Sequence, residues 1–250
     1  MDPAEPVERP IRLYTLGRFE VAVDGEPLRF SSRGPRKPVE LLKALLARGG
    51  RGVSQQTLCE QLWPDAEGDA AYRALVTTVH RLRRLLRCAK AISFAGGQLA
   101  VCADVCWVDA WQFERILASG CDTAALARAI DLYRGRFLGD EDDAQAFEIR
   151  DRLQRKLVRA ALTLGHQYVE QRNTDAAIRL FEQVLDAGAL SEEIHRDLMA
   201  CLATTGHGAA AAAVYHRCRV VLAERLGMRP SIATEQLYRS LNAGARELHV

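Results

Sequence analysis

The residues with the clearest chemical potential are the cations between Ala70 and Ala103. Arg73, Arg81, Arg83, Arg84, Arg87 and Lys90 all lie there, and the 34 residues contain no Asp or Glu. Uncompensated positive charge is an electrostatic footprint for a polyanion; on charge alone, a solvated face is the alternative. Spacing separates the two. Leu75, Val79, Leu82 and Leu86 recur at intervals of 4, 3 and 4, so they line one side of a helix. Arg73, Thr77, His80, Arg81 and Arg84 fall on the outward side. An arginine there can grip guanine O6 and N7 or a phosphate, and a threonine can meet a base edge or a thymine methyl. The leading candidate DNA contacts are Arg73, Thr77, Arg81 and Arg84, followed by Thr78, His80 and Arg83. Arg83 sits nearest the apolar stripe. Arg33, Arg36 and Lys37 form a second basic group, which would touch phosphate or lie in a solvated loop.

Other constellations carry less chemistry. Cys102 and Cys106 lack a nearby histidine or a second cysteine pair, so they fall short of a four-ligand zinc site and read as packed thiols. His207, His216 and Cys218 have no convincing ligand set either, and His195 reads as a packing residue at a helix start. Gly49-Gly-Arg-Gly52 lacks the Gly-Lys-Ser/Thr ending of a P-loop, and no Gly-x-Ser-x-Gly elbow occurs. No enzyme activity, cofactor or metal is expected.

The elements that must position the cations follow from the pattern around them. Ile11–Leu16 and Phe19–Val23 alternate as strands, Asp24-Gly25 is a hairpin turn, and Pro27–Phe30 closes a meander. A first helix starts around Pro38, carries Val39, Leu41, Leu42, Leu45 and Leu46, and stops at Gly49-Gly50. Ser54 is an N-cap for a second helix with Leu58, Leu62 and Trp63, ended by Pro64. The third helix, the cationic one, runs from about Asp69 to about Arg87. Ile92–Phe94, Gly96-Gly97 and Leu99–Val101 then form a hairpin. This order is that of a winged helix-turn-helix, whose third helix enters a major groove while the hairpin presses on phosphates or the minor groove.

Beyond Asp109 the texture becomes helical throughout, with an acidic break at Gly139–Asp143. Five pairs differ by 34 residues: Leu164/Leu198, Tyr168/Leu202, Asn173/His207, Ala177/Ala211 and Phe181/Tyr215. That is the length of a tetratricopeptide helix pair. At least two stacked pairs are predicted, with a third, less regular pair between about 122 and 158. The fold expected is mainly α with a small β component: a winged helix-turn-helix domain over 1–108 and a TPR-like all-helical repeat domain over 109–250. Trp63 is expected in the core, and Trp107 or Trp111 to help fix the relation of the two domains.

Composition agrees with two soluble domains. Residues 1–108 hold 16 Lys+Arg and 12 Asp+Glu, and residues 109–250 hold 18 and 20. The hydrophobic share is 48% without a membrane-length apolar run, and the N-terminus does not read as a secretory signal. Seven scattered cysteines suit a reducing, cytoplasmic setting.

Together these residues resemble the SARP/AfsR-type bacterial regulators, which join an OmpR-like winged helix to a bacterial transcriptional activator domain. Leu16-Gly17-Arg18-Phe19-Glu20-Val21, Val53-Ser54 through Leu62-Trp63-Pro64, and Val79–Leu86 resemble the first domain's motifs. Gly97-Gln98-Leu99 stands where the family usually has Gly-Tyr-Arg-Leu. Val108-Asp109-Ala110, Leu132–Leu138, Leu190-Ser191-Glu192-Glu193, and Leu226–Ser231 resemble the second domain. The tryptophan common after the Tyr-Arg-Gly segment is absent, Phe147 standing nearest to it. The resemblance implies binding to double-stranded promoter DNA, commonly as a homodimer on direct repeats, and recruitment of RNA polymerase to activate transcription. A reading from a different class is a TPR-type interaction scaffold whose winged domain binds protein; it would not need a cationic third helix kept free of acids beyond its first turn.

Overall fold

The computed structural model describes residues 9–29, 36–120, 122–139 and 144–247, with side chains as far as residue 241. Packing divides the chain into two units, one within 1–114 and 136–153, the other within 115–135 and 154–250. The first unit therefore reaches past the cut expected at 108/109.

In chain order the first unit holds β1 (Ile11–Tyr14), β2 (Glu20–Val23), β3 (Glu26–Pro27), α1 (Arg36–Leu46), β4 (Val53–Ser54), α2 (Gln55–Leu62), α3 (Gly68–Leu85), β5 (Ile92–Ala95), β6 (Gln98–Val101) and β7 (Cys106–Val108), followed by the start of α4 (Asp109–Ser119). One sheet has the order β3-β2-β1-β7 and the other β4-β6-β5. Both hairpin turns have two central residues at positive φ, Asp24 with Gly25 and Gly96 with Gly97, the type I′ arrangement that matches strand twist. The third strand is shorter than expected and lies one residue earlier; Phe30 and Arg33 fall outside the described residues. β4 and β7, of two and three residues, are too short to show an alternation in the sequence.

β7 pairs in parallel with β1, Ile11 opposite Cys106 and Leu13 opposite Val108. This pairing brings Asp109, 3% exposed, to the end of β1. Its carboxylate accepts from the Thr15 and Leu16 amides at 2.8 and 3.0 Å, from the Thr15 hydroxyl at 2.6 Å, and from the Ala110 amide at 2.7 Å. Burial pushes the Asp109 carboxyl up, while the hydrogen bonds from Thr15, Leu16 and Ala110 pull it down, burial prevailing. The same strand end receives residues 136–138: Gly17 N donates to Arg136 O at 3.1 Å, and Leu138 N donates to Thr15 O at 2.6 Å. Buried Arg150 donates from Nε to Phe137 O at 2.9 Å. The tryptophans also settle in this unit. Trp63 is half-buried at the end of α2 under Lys37, Trp107 meets Tyr14 edge to face, and Trp111 lies against Gly50 and Arg51.

The chain continues with α5 (Thr123–Leu132), α6 (Phe147–Glu170), α7 (Thr174–Asp186), α8 (Glu192–Thr204), α9 (Gly208–Leu226) and α10 (Ile232–Glu247); these form the second unit apart from the start of α6, which as far as residue 153 belongs to the first. Four of the five 34-residue pairs land at equivalent places, while Tyr168 is half-buried where Leu202 is buried. Leu164 and Leu198 are buried, Asn173 and His207 occupy the N-cap positions of α7 and α9, Ala177 and Ala211 are fully buried, and Phe181 and Tyr215 fill the core. The expected third pair is different. α5 is followed by one 24-residue helix, α6, whose latter part already belongs to the first regular pair. Of the acidic break, residues 140–143 lie outside the described residues. Among the described residues no helix is long and apolar enough to cross a membrane.

His195, 3% exposed, sits in the first turn of α8, its Nδ1 donating to Ser191 O at 2.8 Å. Its Nε2 is buried with no hydrogen-bond partner among the described residues, and burial pushes its pKa below the ordinary 6.5. The unfolded chain therefore takes up this proton first as pH falls through about 6.5, and the stability contributed by neutral His195 is lost. His195→Leu is expected to reduce the drop in urea midpoint between pH 7.5 and pH 5.5; an identical drop in both proteins would contradict this.

Gly165 of α6 faces Phe181 so closely that an added Cβ would lie 2.2 Å from its ring. Helix propensity alone favours alanine by about 1 kcal/mol, whereas overpacking costs about 1–3 kcal/mol. Gly165→Ala is expected to destabilise in urea unfolding, with Phe181→Leu relieving part of the loss in the double variant.

Candidate nucleic-acid interface

α3 is shaped by its two opposite sides. Leu75, Val79, Leu82 and Leu86 are at most 2% exposed and pack the helix on α1 and α2. Each such side chain contributes about 1.5–3 kcal/mol on removal from water. Asp69 in the first turn and Arg83 and Arg84 in the last complement the helix dipole. The helix ends at Leu85, slightly before the expected Arg87. Arg87 turns to φ 51, with its amide donating to Arg84 O at 3.1 Å and the Cys88 amide to Arg83 O at 3.1 Å. This is a Schellman closure built without glycine.

Arg73, Thr77, His80 and Arg84 follow one another at i, i+4, i+7 and i+11 and are all exposed; Arg81 is exposed on the adjacent ridge. Among the described residues, Arg73, Arg81 and Arg84 make no ion pair. These five side chains form one continuous cationic and hydrogen-bonding row on the helix.

Thr78 and Arg83 do not join that row. Thr78 is 4% exposed and its hydroxyl donates to Ala74 O at 2.7 Å, a back-bond within the helix. Arg83 is half-buried and donates from Nε and one terminal nitrogen to Ile92 O at 3.0 and 2.8 Å. It ties α3 to β5, a role hidden in the sequence because the acceptor is a backbone carbonyl. Of the second basic group, exposed Lys37 donates to Leu62 O at 2.9 Å and pairs with Glu40, and Arg36 is exposed at the start of α1.

The β5–β6 hairpin carries no Lys or Arg from Ile92 to Val101. Gly97 O accepts from the Gln55 amide at 2.9 Å, which ties the turn to the start of α2. The three cysteines nearby gather around the backbone of one residue: Ala91 N donates to Cys88 O, while Ala91 O accepts from Cys102 N and, at 3.8 Å, from the Cys106 thiol. Burial, with Cys102 and Cys88 adding to it, pushes the Cys106 thiol up to about 12. Such a thiol is inert. Among the described residues no group of three or more His, Cys, Asp or Glu side chains could hold a metal ion.

A three-helix core, an outward cationic third helix, a following hairpin and a second unit of stacked helix pairs define a winged-helix protein joined to helical repeats. The family described as Bacterial transcriptional activator domain matches residues 108–242, and Transcriptional regulatory protein, C terminal, matches residues 32–93. The chain belongs to the bacterial transcriptional activator domain family and is a SARP-type regulator by its pairing of modules. It is 29% identical to Regulatory protein AfsR of Streptomyces coelicolor, covering 94% of this chain and 24% of that protein. Transcriptional regulatory protein MoaR1 of Mycobacterium tuberculosis is 24% identical, covering 91% of this chain and 80% of the relative. The chain thus spans about a quarter of AfsR but most of MoaR1. A solved structure of Mycobacterium tuberculosis EmbR in complex with a low affinity phosphopeptide shares the fold at TM-score 0.68 and 20% identity, covering 95% of this chain and 66% of that one.

Arg83→Ala removes two hydrogen bonds to Ile92 O and is expected to lower the stability of the first unit by about 1–2 kcal/mol. Arg84→Ala, on an exposed side chain, should stay within about 0.5 kcal/mol. Thermal unfolding of the two variants side by side checks the contrast; equal losses would remove Arg83 from the α3–β5 link.

Proposed function

We propose that this chain is a sequence-specific, DNA-binding transcription activator. Residues 1–108 read double-stranded promoter DNA, and residues 109–250 engage protein. The reading is carried by the outward row of α3: Arg73, Thr77, His80, Arg81 and Arg84, exposed within an acid-free segment. Arg81 and Arg84 grip guanine edges or phosphates, Arg73 anchors the start of the helix, and Thr77 meets a base edge. Thr78 and Arg83 support the row without touching DNA. The hairpin, without a cation of its own, contributes shape and backbone amides.

Family membership supports the further steps. The chain acts in the cytoplasm as a homodimer on direct repeats and recruits RNA polymerase through its helical unit. A protein-binding scaffold would leave the cationic row of α3, free of acids beyond the first turn, without a purpose, and the regulators the chain matches do not favour that alternative.

Fluorescence anisotropy against a footprinted promoter fragment, at two salt concentrations, tests the reading. Specific binding should weaken steeply with salt. Arg81→Ala is expected to cost about 1–3 kcal/mol of specific affinity, and Thr78→Val to leave it unchanged. Binding that ignores both salt and Arg81 would overturn the proposal.

A further inference from the structure

Beside the cationic row, on the side of the β5–β6 hairpin, α3 exposes apolar side chains that the reading above does not use. Tyr72 is 44% exposed and Val76, one turn on, is 41% exposed. The Tyr72 ring meets half-buried Phe94 of β5 edge to face, with centroids 6.4 Å apart and planes at 62°. Arg83, further along the same helix, holds that hairpin through Ile92 O. Tyr72 is therefore braced, and Val76 stands next to it on a helix whose orientation is locked from behind.

Helical spacing makes Arg73 (three residues before) and His80 (four residues after) the surface neighbours of Val76, with Thr77 adjacent in the chain. Whatever covers this valine meets the Arg73 cation on one flank, a hydrogen-bonding imidazole on the other and an apolar centre, so an anionic and hydrogen-bonding rim around an apolar spot fits it. The patch, two side chains with the edge of a third, is far smaller than the roughly 1,000 Å² of a specific protein interface. The major groove offers the required combination: phosphates on both sides, and on its floor the C5-methyl of thymine.

We propose that Val76 is a specificity-determining residue that packs against a thymine C5-methyl, with Tyr72, braced on Phe94, as its side wall. The proposal rests on the DNA-reading role of the α3 row. It adds a preference for A·T pairs at the positions facing Val76, beside those the arginines read.

The test uses the full chain and its footprinted duplex, with each thymine replaced in turn by deoxyuridine, which removes the methyl and nothing else. The wild type is expected to lose about fourfold in affinity at one or two positions, the worth of one buried methyl group. Val76→Ala, at an exposed helical site where alanine is well tolerated, should bind with its circular dichroism unchanged and lose that discrimination. Equal responses of wild type and variant to every deoxyuridine would overturn the role of Val76 while leaving the arginine reading intact. A variant altered only in binding stoichiometry would overturn it too, and assign the patch to a second copy. A wild type that binds no duplex specifically would sink both readings.

Discussion

α3 can present arginines to the outside because its other side is locked against α1 and α2 by four buried aliphatic side chains. A helix with six basic residues on or just beyond it and no acid after its first turn would otherwise be free to rotate or fray under its own repulsion. The leucine and valine stripe prevents rotation, the Arg87 turn ends the helix, and the Arg83 bonds to Ile92 O fasten it to the hairpin. One arginine is thus withdrawn from the cationic surface to hold the others in position. Pre-organisation of this kind matters for groove recognition, where a loose side chain gives up entropy that a held one does not.

A second constraint closes the first unit around the N-terminal strand. β1 is flanked by β2 from its own hairpin and by β7 from ninety-odd residues later, and its end is capped by the Asp109 carboxylate. A buried carboxylate is costly unless donors surround it, and three amides with one hydroxyl do so here. Residues 136–138 add to the same strand end, which explains why the last three residues of the Leu132–Leu138 motif, distant in sequence, pack with the first unit. The family boundary near residue 108 and the packing boundary therefore describe different things. One marks recurring sequence modules, the other where buried contacts fall.

The helical unit is held by repetition. Each 34-residue step places a buried alanine where neighbouring helices approach and an aromatic residue four positions on. Gly165 against Phe181 shows how close that approach becomes. Stacked pairs of this kind bury a core only by association, which is why the pattern is legible over two repeats and fades upstream, where α6 is one long helix. The same unit departs from uniform apolar packing at His195, held neutral by burial with one nitrogen unsatisfied.

Periodicity and turn chemistry were enough to read the winged helix, the hairpins with Asp24-Gly25 and Gly96-Gly97, the Ser54 cap and the repeat register, because each depends on residues close in the chain. Charge distribution likewise marked α3 and most of its outward row. What could not be read locally were contacts made to backbone or across long separations: Arg83 to a carbonyl, Thr78 turned inward onto Ala74, β7 beside β1, and Asp109 at Thr15. Thr77 and Thr78 are the same residue type one position apart, and a helix necessarily turns neighbours about 100° from each other. Spacing makes Thr77 a leading candidate contact and Thr78 a secondary one; the packing of α3 against α1 and α2 leaves Thr77 in solvent and encloses Thr78.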